Sequence, residues 1–441
     1  MKRKVNKYII FIITAFFIGS LFPFAYSGVD SGLDQLKIMV DVMAKIQDSY
    51  VEETQPKELI TNALYGMVNS LDEFSEFINI TNTKRIKEET RGEFGGLGIR
   101  LIGKEGELFV VTPMLDTPSY KAGIEPGDEI IQIDDKLVKD ISSQEAIDMM
   151  RGAVGEKVTL VIKRKDKKGK EITKKFTMKK ARIIPQIVYP KMLENKIGYI
   201  YVEDFSGHTV ADVKKALEDL NKQGMESLIL DLRFNPGGTL ESAIDLAKMF
   251  IGENKLIVYT KGRKESYFKE YKSGDKALYP DLPIVLLVNE GSASGSEIVA
   301  GALQDHKRAL LIGARTFGKG SVQQVSTLED GSALKLTVAK YYTPLGRMIH
   351  RDFKKKGPNT GGILPDIVVD ADLTTTKSAV LQRTTMIYSP SKKTATTEGK
   401  EIKDEQLNRA VDILKARKVL GALNIDEIKA QDAKEAKVKE A

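Results

Sequence analysis

The chain has 441 residues, 41% of them hydrophobic, which is enough to bury a substantial core and long enough for two or three domains. Its 68 basic and 61 acidic residues leave a net charge of only +7, too balanced to argue for a nucleic-acid partner. The absence of cysteine excludes disulfides. With only three histidines (His208, His306 and His350), there is little material for a zinc site or for a nucleophile activated by imidazole.

Residues 1–27 carry Lys2, Arg3, Lys4 and Lys7 ahead of an apolar run from Tyr8 to Tyr26, the layout of an export signal whose positive charges stay inside. The expectation is an exported protein of the cell envelope, in the periplasm or on the outer face of the cytoplasmic membrane. Ala25-Tyr26-Ser27 suits signal cleavage, while the length of the run suits retention as a membrane anchor, and both fates stay open. Residues 28–91 read as helical, with Leu33, Leu36, Ile38, Val40, Val42, Met43 and Ile46 at helical spacing and a second such run from Leu59 to Leu71 after Pro56. A dimerisation arm and a plain packing layer fit this pattern equally.

Residues 92–180 switch to short strands. Gly95-Gly96-Leu97-Gly98-Ile99 has the spacing of a loop whose amides capture a terminal carboxylate, followed by a strand edge to which a peptide can add. A dinucleotide site is excluded because no long helix follows Gly98. The helix expected from Gln144 to Arg151 presents Ala146, Ile147 and Met150 as an apolar side for the pocket. The hairpin from Val158 to Met178 carries Lys163, Arg164, Lys165, Lys167, Lys168, Lys170, Lys174 and Lys175; it reads as a solvated face, with contact to anionic lipid as the sharper alternative.

From Ala181 to Asp370 strands and helices alternate as repeated βα units. The apolar runs Pro283–Val288 and Ala309–Ile312 lead into two glycine-rich loops, one carrying Ser294 and the other Lys319. Loops at strand ends are where α/β sheets gather their chemistry. A serine needs a base to attack a carbonyl, and a lysine can be that base where burial lowers its pKa from about 10.4. The stretch Gly313 to Gly320 nearly matches a phosphate loop, but Gly320 lacks the required hydroxyl and the chain continues as a strand. Along that strand Lys319, Ser321 and Gln323 share one face and Gln324 the other, so Gln323 can orient the lysine. Asn235-Pro236-Gly237-Gly238 follows a strand and precedes a helix. Its amides, with that of Gly295, can receive a developing oxyanion. Tyr267, Phe268 and Tyr271 fall in a charged insertion read as a mobile surface loop. After Asp370 a Thr/Ser/Lys-rich linker is expected through Gly399, followed by an amphipathic helix from Asp404 to Leu420.

Ser294, Lys319 and Gln323, with Leu230-Asp231-Leu232-Arg233-Phe234-Asn235-Pro236-Gly237-Gly238 and Gly362-Ile363-Leu364-Pro365-Asp366, resemble the carboxy-terminal processing peptidases, or tail-specific proteases. Gly95–Ile99 and Ala122–Ile130 resemble a PDZ domain. The resemblance implies a crotonase-like α/β protease core (181–370) with an inserted PDZ domain (92–180), an N-terminal helical region (28–91) and a C-terminal helical region (371–441). Ser294 is then the nucleophile, Lys319 the general base, Gln323 its orienter, and Gly237, Gly238 and Gly295 the oxyanion hole. Gly96, Leu97, Gly98, Ile99, Ala146 and Met150 form the peptide site. It implies protein or peptide substrates bound by their C-termini, no cofactor or metal, and a homo-oligomer joined through the N-terminal region. The chain departs from the common pattern at Gly295, usually alanine, and at Phe234, often polar. A PDZ scaffold with an idle peptidase fold would have lost Ser294 or Lys319, and an acyl-CoA enzyme fits neither export nor the PDZ segment.

Overall fold

The computed structural model describes residues 32–104, 106–166, 169–274, 276–352, 361–388 and 402–422. The expected leader, Lys167, Lys168, the later part of the expected linker and the charged tail lie outside these residues. The chain divides into two compact units, Met1–Asp72 and Glu73–Ala441. In the first, helices α1 (Gly32–Ser49) and α2 (Pro56–Asn69) are joined by a short turn, and Pro56 supplies the fixed φ that opens α2. Leu36, Ile38, Val40 and Val42 of α1 are all exposed. Among the described residues no helix is long and apolar enough to cross a membrane.

The second unit opens with β1 (Glu76–Ile78) and α3 (Ile80–Arg91), then β2 (Phe94–Gly96). A small antiparallel sheet follows, from β3 (Ile99–Lys104), β4 (Glu107–Pro113), β5 (Glu129–Ile133), β6 (Lys136–Leu137), β7 (Lys157–Lys165) and β8 (Glu171–Lys179). Short helices α4 (Pro118–Ala122) and α5 (Ser143–Met150) accompany it. One face of this sheet is wet, so its strands alternate, and Val158, Leu160 and Ile162 of β7 point into the core. β9 (Ala181–Ile183) pairs with β2 and carries the chain away from this sheet.

The larger part is built on β10 (Val188–Met192), β11 (Ile197–Val202), β12 (Ser227–Asp231), β15 (Ile284–Val288), β16 (Leu310–Gly313) and β19 (Ile367–Val368), side by side in that order. All neighbouring pairs are parallel except β10 with β11. β11, β12 and β15 are buried at every residue, as a sheet covered on both faces requires. Helices α6 (Thr209–Lys222), α7 (Leu240–Lys248) and α8 (Gly295–Asp305) supply apolar residues to one face. Helices α9 (Leu373–Tyr388) and α10 (Glu405–Ala422) cover the other through Val380, Leu407, Ala410 and Leu414. A second antiparallel sheet joins β1, β13 (Leu256–Gly262), β14 (Lys269–Lys272), β17 (Ser321–Thr327) and β18 (Ala333–Tyr342), with β18 pairing β1, β13 and β17.

Two expectations are corrected. The aromatic insertion is not a free loop: β14 pairs with β13, Tyr259 opposite Glu270, and Tyr271 packs on the main core. The first part of the expected linker is α9. Its sequence lacks a clear apolar period because the side it buries is largely polar, with Thr376, Gln382 and Arg383 inside.

That side covers a charged network. Arg233, fully buried, donates to Asp231 at 2.9 and 2.6 Å and to Asp404 at 2.8 and 2.9 Å. Arg383 reaches Asp404 at 3.1 Å and Tyr199 donates to Asp231 at 2.9 Å. Burial alone would push the Asp404 carboxyl up, but the Arg233 and Arg383 guanidiniums hold it at about 2. Its stabilising charge is therefore fully present above the ordinary aspartate range and is lost only as pH falls toward 2. Asp404→Asn is expected to cost about 2 kcal/mol, less than full loss of a buried partner because Asp231 still faces Arg233. Denaturant unfolding of the two proteins at neutral pH measures it.

Candidate active site

The carboxyl ends of β12, β15 and β16 bring three turns to one place. After β12 the chain turns through Phe234-Asn235-Pro236-Gly237-Gly238. Asn235, fully buried, donates its side-chain amide to the Val202 carbonyl at 2.9 Å. Its own carbonyl accepts the Ala293 N–H and the Ser296 hydroxyl, each at 3.0 Å, which ties this turn to the one after β15. Phe234, at φ +59°, donates its N–H to Asn289 Oδ1 at 2.9 Å. Gly237 can only be glycine: at φ +97° an added Cβ would lie 2.7 Å from both the Ala293 oxygen and Ser294 Cβ. The Gly237 N–H turns inward to Asn235 Oδ1 at 2.8 Å. The N–H groups of Gly238 and Gly295 have no acceptor among the described residues.

Ser294 caps α8 with φ +53° and ψ −111°, outside the left-handed basin that non-glycine residues tolerate. The strained turn is held by Glu297, whose Oε2 accepts the Ser294 N–H at 2.9 Å. The same oxygen accepts the Lys319 N–H at 2.8 Å, while Oε1 accepts from the Thr316 hydroxyl at 2.6 Å and the Gly318 N–H at 2.7 Å. One buried carboxylate thus fastens the serine turn to the lysine loop. Burial pushes the Glu297 carboxyl up to about 7, against the pull of its four donors. The lysine loop is fixed again where Gly318 and Gly320 carbonyls accept the N–H groups of Arg351 and Tyr341.

The Lys319 side chain is half-buried, with Nζ 5.2 Å above the centre of the Phe74 ring. Burial first, and the nearby Lys335 ammonium second, hold this amine below the usual lysine range, while the Glu297 charge opposes them. Gln323 lies on the face of Ser321, as strand alternation requires, but its amide donates to Ser321 Oγ at 2.8 Å and Thr337 Oγ1 at 3.3 Å. Gln324 is exposed and accepts from the Tyr267 hydroxyl at 3.4 Å.

Between β3 and α5 lies a cavity of about 160 Å³ lined by Phe94, Leu97, Gly98, Ile99, Leu101, Ile147, Met150 and Arg151. Two expected lining residues are elsewhere. Gly96 pairs with Ala181 in the short β2–β9 ladder, and Ala146, fully buried, faces the sheet. Helical geometry explains the second: Ile147, Met150 and Arg151 recur at i, i+3 and i+4, one position round from Ala146. Arg151, whose guanidinium lies 4.5 Å over the Phe94 ring, was missed with it. Glu297 and Asn235 were also missed. The Ser294-x-x-Glu297 spacing of a capping box ahead of an apolar run could have revealed the first.

Residues 196–369 match the family described as Peptidase family S41, and residues 109–164 match the PDZ domain family. The chain is 38% identical over 378 residues to the carboxy-terminal-processing protease of Bartonella bacilliformis, covering 84% of each protein. It is 36% identical over 392 residues to the carboxy-terminal processing protease CtpA of Bacillus subtilis, covering 85% of this chain and 81% of that one. Among solved structures, the photosystem II D1 C-terminal processing protease is 27% identical with a TM-score of 0.43, covering 76% of this chain and 92% of that one. Identity of 36 to 38% to these two bacterial proteases over most of each chain, with both family matches, means that the chain belongs to peptidase family S41, as a serine peptidase carrying a PDZ domain.

Proposed function

We propose that this peptidase takes the free C-terminus of an unfolded or flexible protein in its PDZ cavity and cleaves the chain with Ser294 and Lys319. Neutral Lys319 Nζ accepts the Ser294 proton as Oγ attacks the scissile carbonyl, and the developing oxyanion receives hydrogen bonds from the Gly238 and Gly295 amides. The ammonium then protonates the leaving amine, and a water activated by the same lysine releases the acyl group. Gln323 steadies the strand that follows the lysine, its amide nitrogen donating to Ser321 Oγ and Thr337 Oγ1. The observation that carries this reading is the Glu297 carboxylate shared by the Ser294 and Lys319 amides, beside a half-buried lysine whose amine is held below the usual lysine range.

Capture of a charged tail makes a direct test. Blocking the terminal carboxylate of an unstructured substrate as an amide is expected to raise KM about tenfold or more, because the amides after Leu97 lose an anionic acceptor. Equal KM for acid and amide substrates would refute carboxylate capture and leave the Ser-Lys chemistry standing. On the catalytic side, Gln323→Ala is expected to lower kcat with tail affinity unchanged, and Gln324→Ala to do less, as its exposed side chain meets the Tyr267 hydroxyl on the outer face. A larger kcat loss for Gln324→Ala would remove Gln323 from the lysine's support.

The apolar leader supports export to the cell envelope, with membrane association through that segment where it is retained. The exposed Leu36, Ile38, Val40 and Val42 of α1 support self-association through the helical region. Sedimentation of the chain with and without residues 28–72 tests the second point.

A further inference from the structure

We propose that Phe74 is the water-excluding lid of the Lys319 amine, a positioning residue for the peptidase reaction. The proposal rests on the reading of Lys319 as the base. The ring centre lies 5.2 Å from Nζ, and the ring is itself half-buried at the mouth of the site. Its neighbours hold it there. Immediately after it, Ser75 Oγ accepts the Thr337 N–H at 3.1 Å, and β1 pairs with β18 through Phe77 opposite Leu334. On another side the ring meets His350 edge-on, at 6.3 Å between centroids and 71° between planes.

The same partners anchor the lysine loop. Thr337 is the residue opposite Gln323 and accepts its side-chain amide. Gly320 lies so close to His350 that an added Cβ would be 2.2 Å from the His350 nitrogen. Lid and base are thus mounted on one strand and one turn, and they cannot drift apart without breaking both.

Among the described residues, charged groups act on the pair from several elements, and Lys335 is itself paired with Glu76 of β1 at 3.6 Å. Lys335 of β18 disfavours the ammonium; Glu297 of α8 favours it, although its acceptor bonds are spent on backbone and hydroxyl donors; His350 faces the ring. The largest cause holding Lys319 below the ordinary lysine range is loss of water, and the Phe74 ring is one wall of that half-buried site. A ring face also attracts an ammonium, but at a partly exposed site that attraction is smaller than the hydration the ring removes. The lid therefore favours the neutral, proton-accepting amine.

The test follows the Lys319 ε-carbon resonance through a pH titration in the full chain carrying Ser294→Ala, which prevents self-cleavage. Phe74→Ala is expected to raise the Lys319 midpoint by roughly one pH unit by letting water in. Phe74→Leu keeps the apolar wall without the ring's attraction for a cation, so its midpoint should stay at or below that of Phe74. Phe74→Gln fills the space with a polar group, is expected to act like Phe74→Ala, and serves if that variant does not fold. In the active enzyme the acid limb of kcat/KM should move with the midpoint while tail affinity stays constant. An unmoved or lowered midpoint in the Ala or Gln variant overturns the proposal, and so does a Leu variant that rises as far as they do. Lys319→Ala, assayed alongside, separates this from the underlying reading: turnover there removes Lys319 from the chemistry, whatever its titration shows.

Discussion

Ser294→Ala and Lys319→Ala are each expected to lower kcat by roughly 10⁴-fold or more on an unstructured protein substrate, with thermal unfolding little changed. On the proposed mechanism the two groups act as a unit, so losing either one removes the attack and the double variant should be hardly worse than the singles. Lys319→Arg should be equally inert, since a guanidinium does not give up its proton near neutral pH. Folding should survive because the turns are held by Asn235, Ser296 and Glu297, and neither Oγ nor Nζ takes part in those bonds. Substantial turnover by Lys319→Ala, read by separation of the cleavage products, would end the Ser-Lys assignment.

The second large effect is expected at Glu297. Glu297→Gln keeps one acceptor oxygen and turns an NH₂ toward donors that the second oxygen now serves. It should therefore lower stability by about 2 to 4 kcal/mol and kcat by about 10²-fold or more, while the PDZ cavity binds tails as before. The effect has a sign in pH. The folded carboxyl titrates at about 7, above the ordinary glutamate value, so the native state holds a proton that the unfolded chain releases. Stability from this group is complete below about pH 4.3 and is lost as pH rises through 7, a fall on the order of 3 kcal/mol. That slope should vanish in Glu297→Gln; denaturant unfolding at pH 4.5 and 7.5 compares them. A Gln variant with the same slope and full kcat would show that the shared carboxylate does not hold the two loops.

Much of the architecture was legible because parallel strands buried on both faces leave unbroken apolar runs. Ile197–Val202 and Ile284–Val288 stand out in this way, and the βα alternation around them needs no further information. The turns after them were legible through Asn-Pro-Gly-Gly and the glycines flanking Ser294 and Lys319. What was not legible lies where pairing or charge replaces apolar periodicity. The ends of β18 take different partners along their length, so no single alternation marks it. β14 is short and charged and exists only because β13 offers an edge. Helix α9 turns threonine, glutamine and arginine inward, which a search for apolar stripes reads as linker. In the site, sequence reading picked out Ser294 and Lys319 and missed Glu297 and Asn235, which hold their turns, because a holding role depends on contacts between turns far apart in the chain. In the PDZ cavity one step of helix rotation separated Ala146 from Ile147.

The Arg233 network sets an order of events in the life of the chain. Arg233 sits on the last residues before the Asn-Pro-Gly-Gly turn, yet half of its neutralising charge comes from Asp404, 171 residues later. A polypeptide emerging from its amino end can form the strands and pair that guanidinium with Asp231 before its second carboxylate exists. Until α10 arrives, Arg233 lacks the two bonds that Asp404 gives it. The turn next to Ser294 therefore reaches its full set of contacts only once the last described helix has docked.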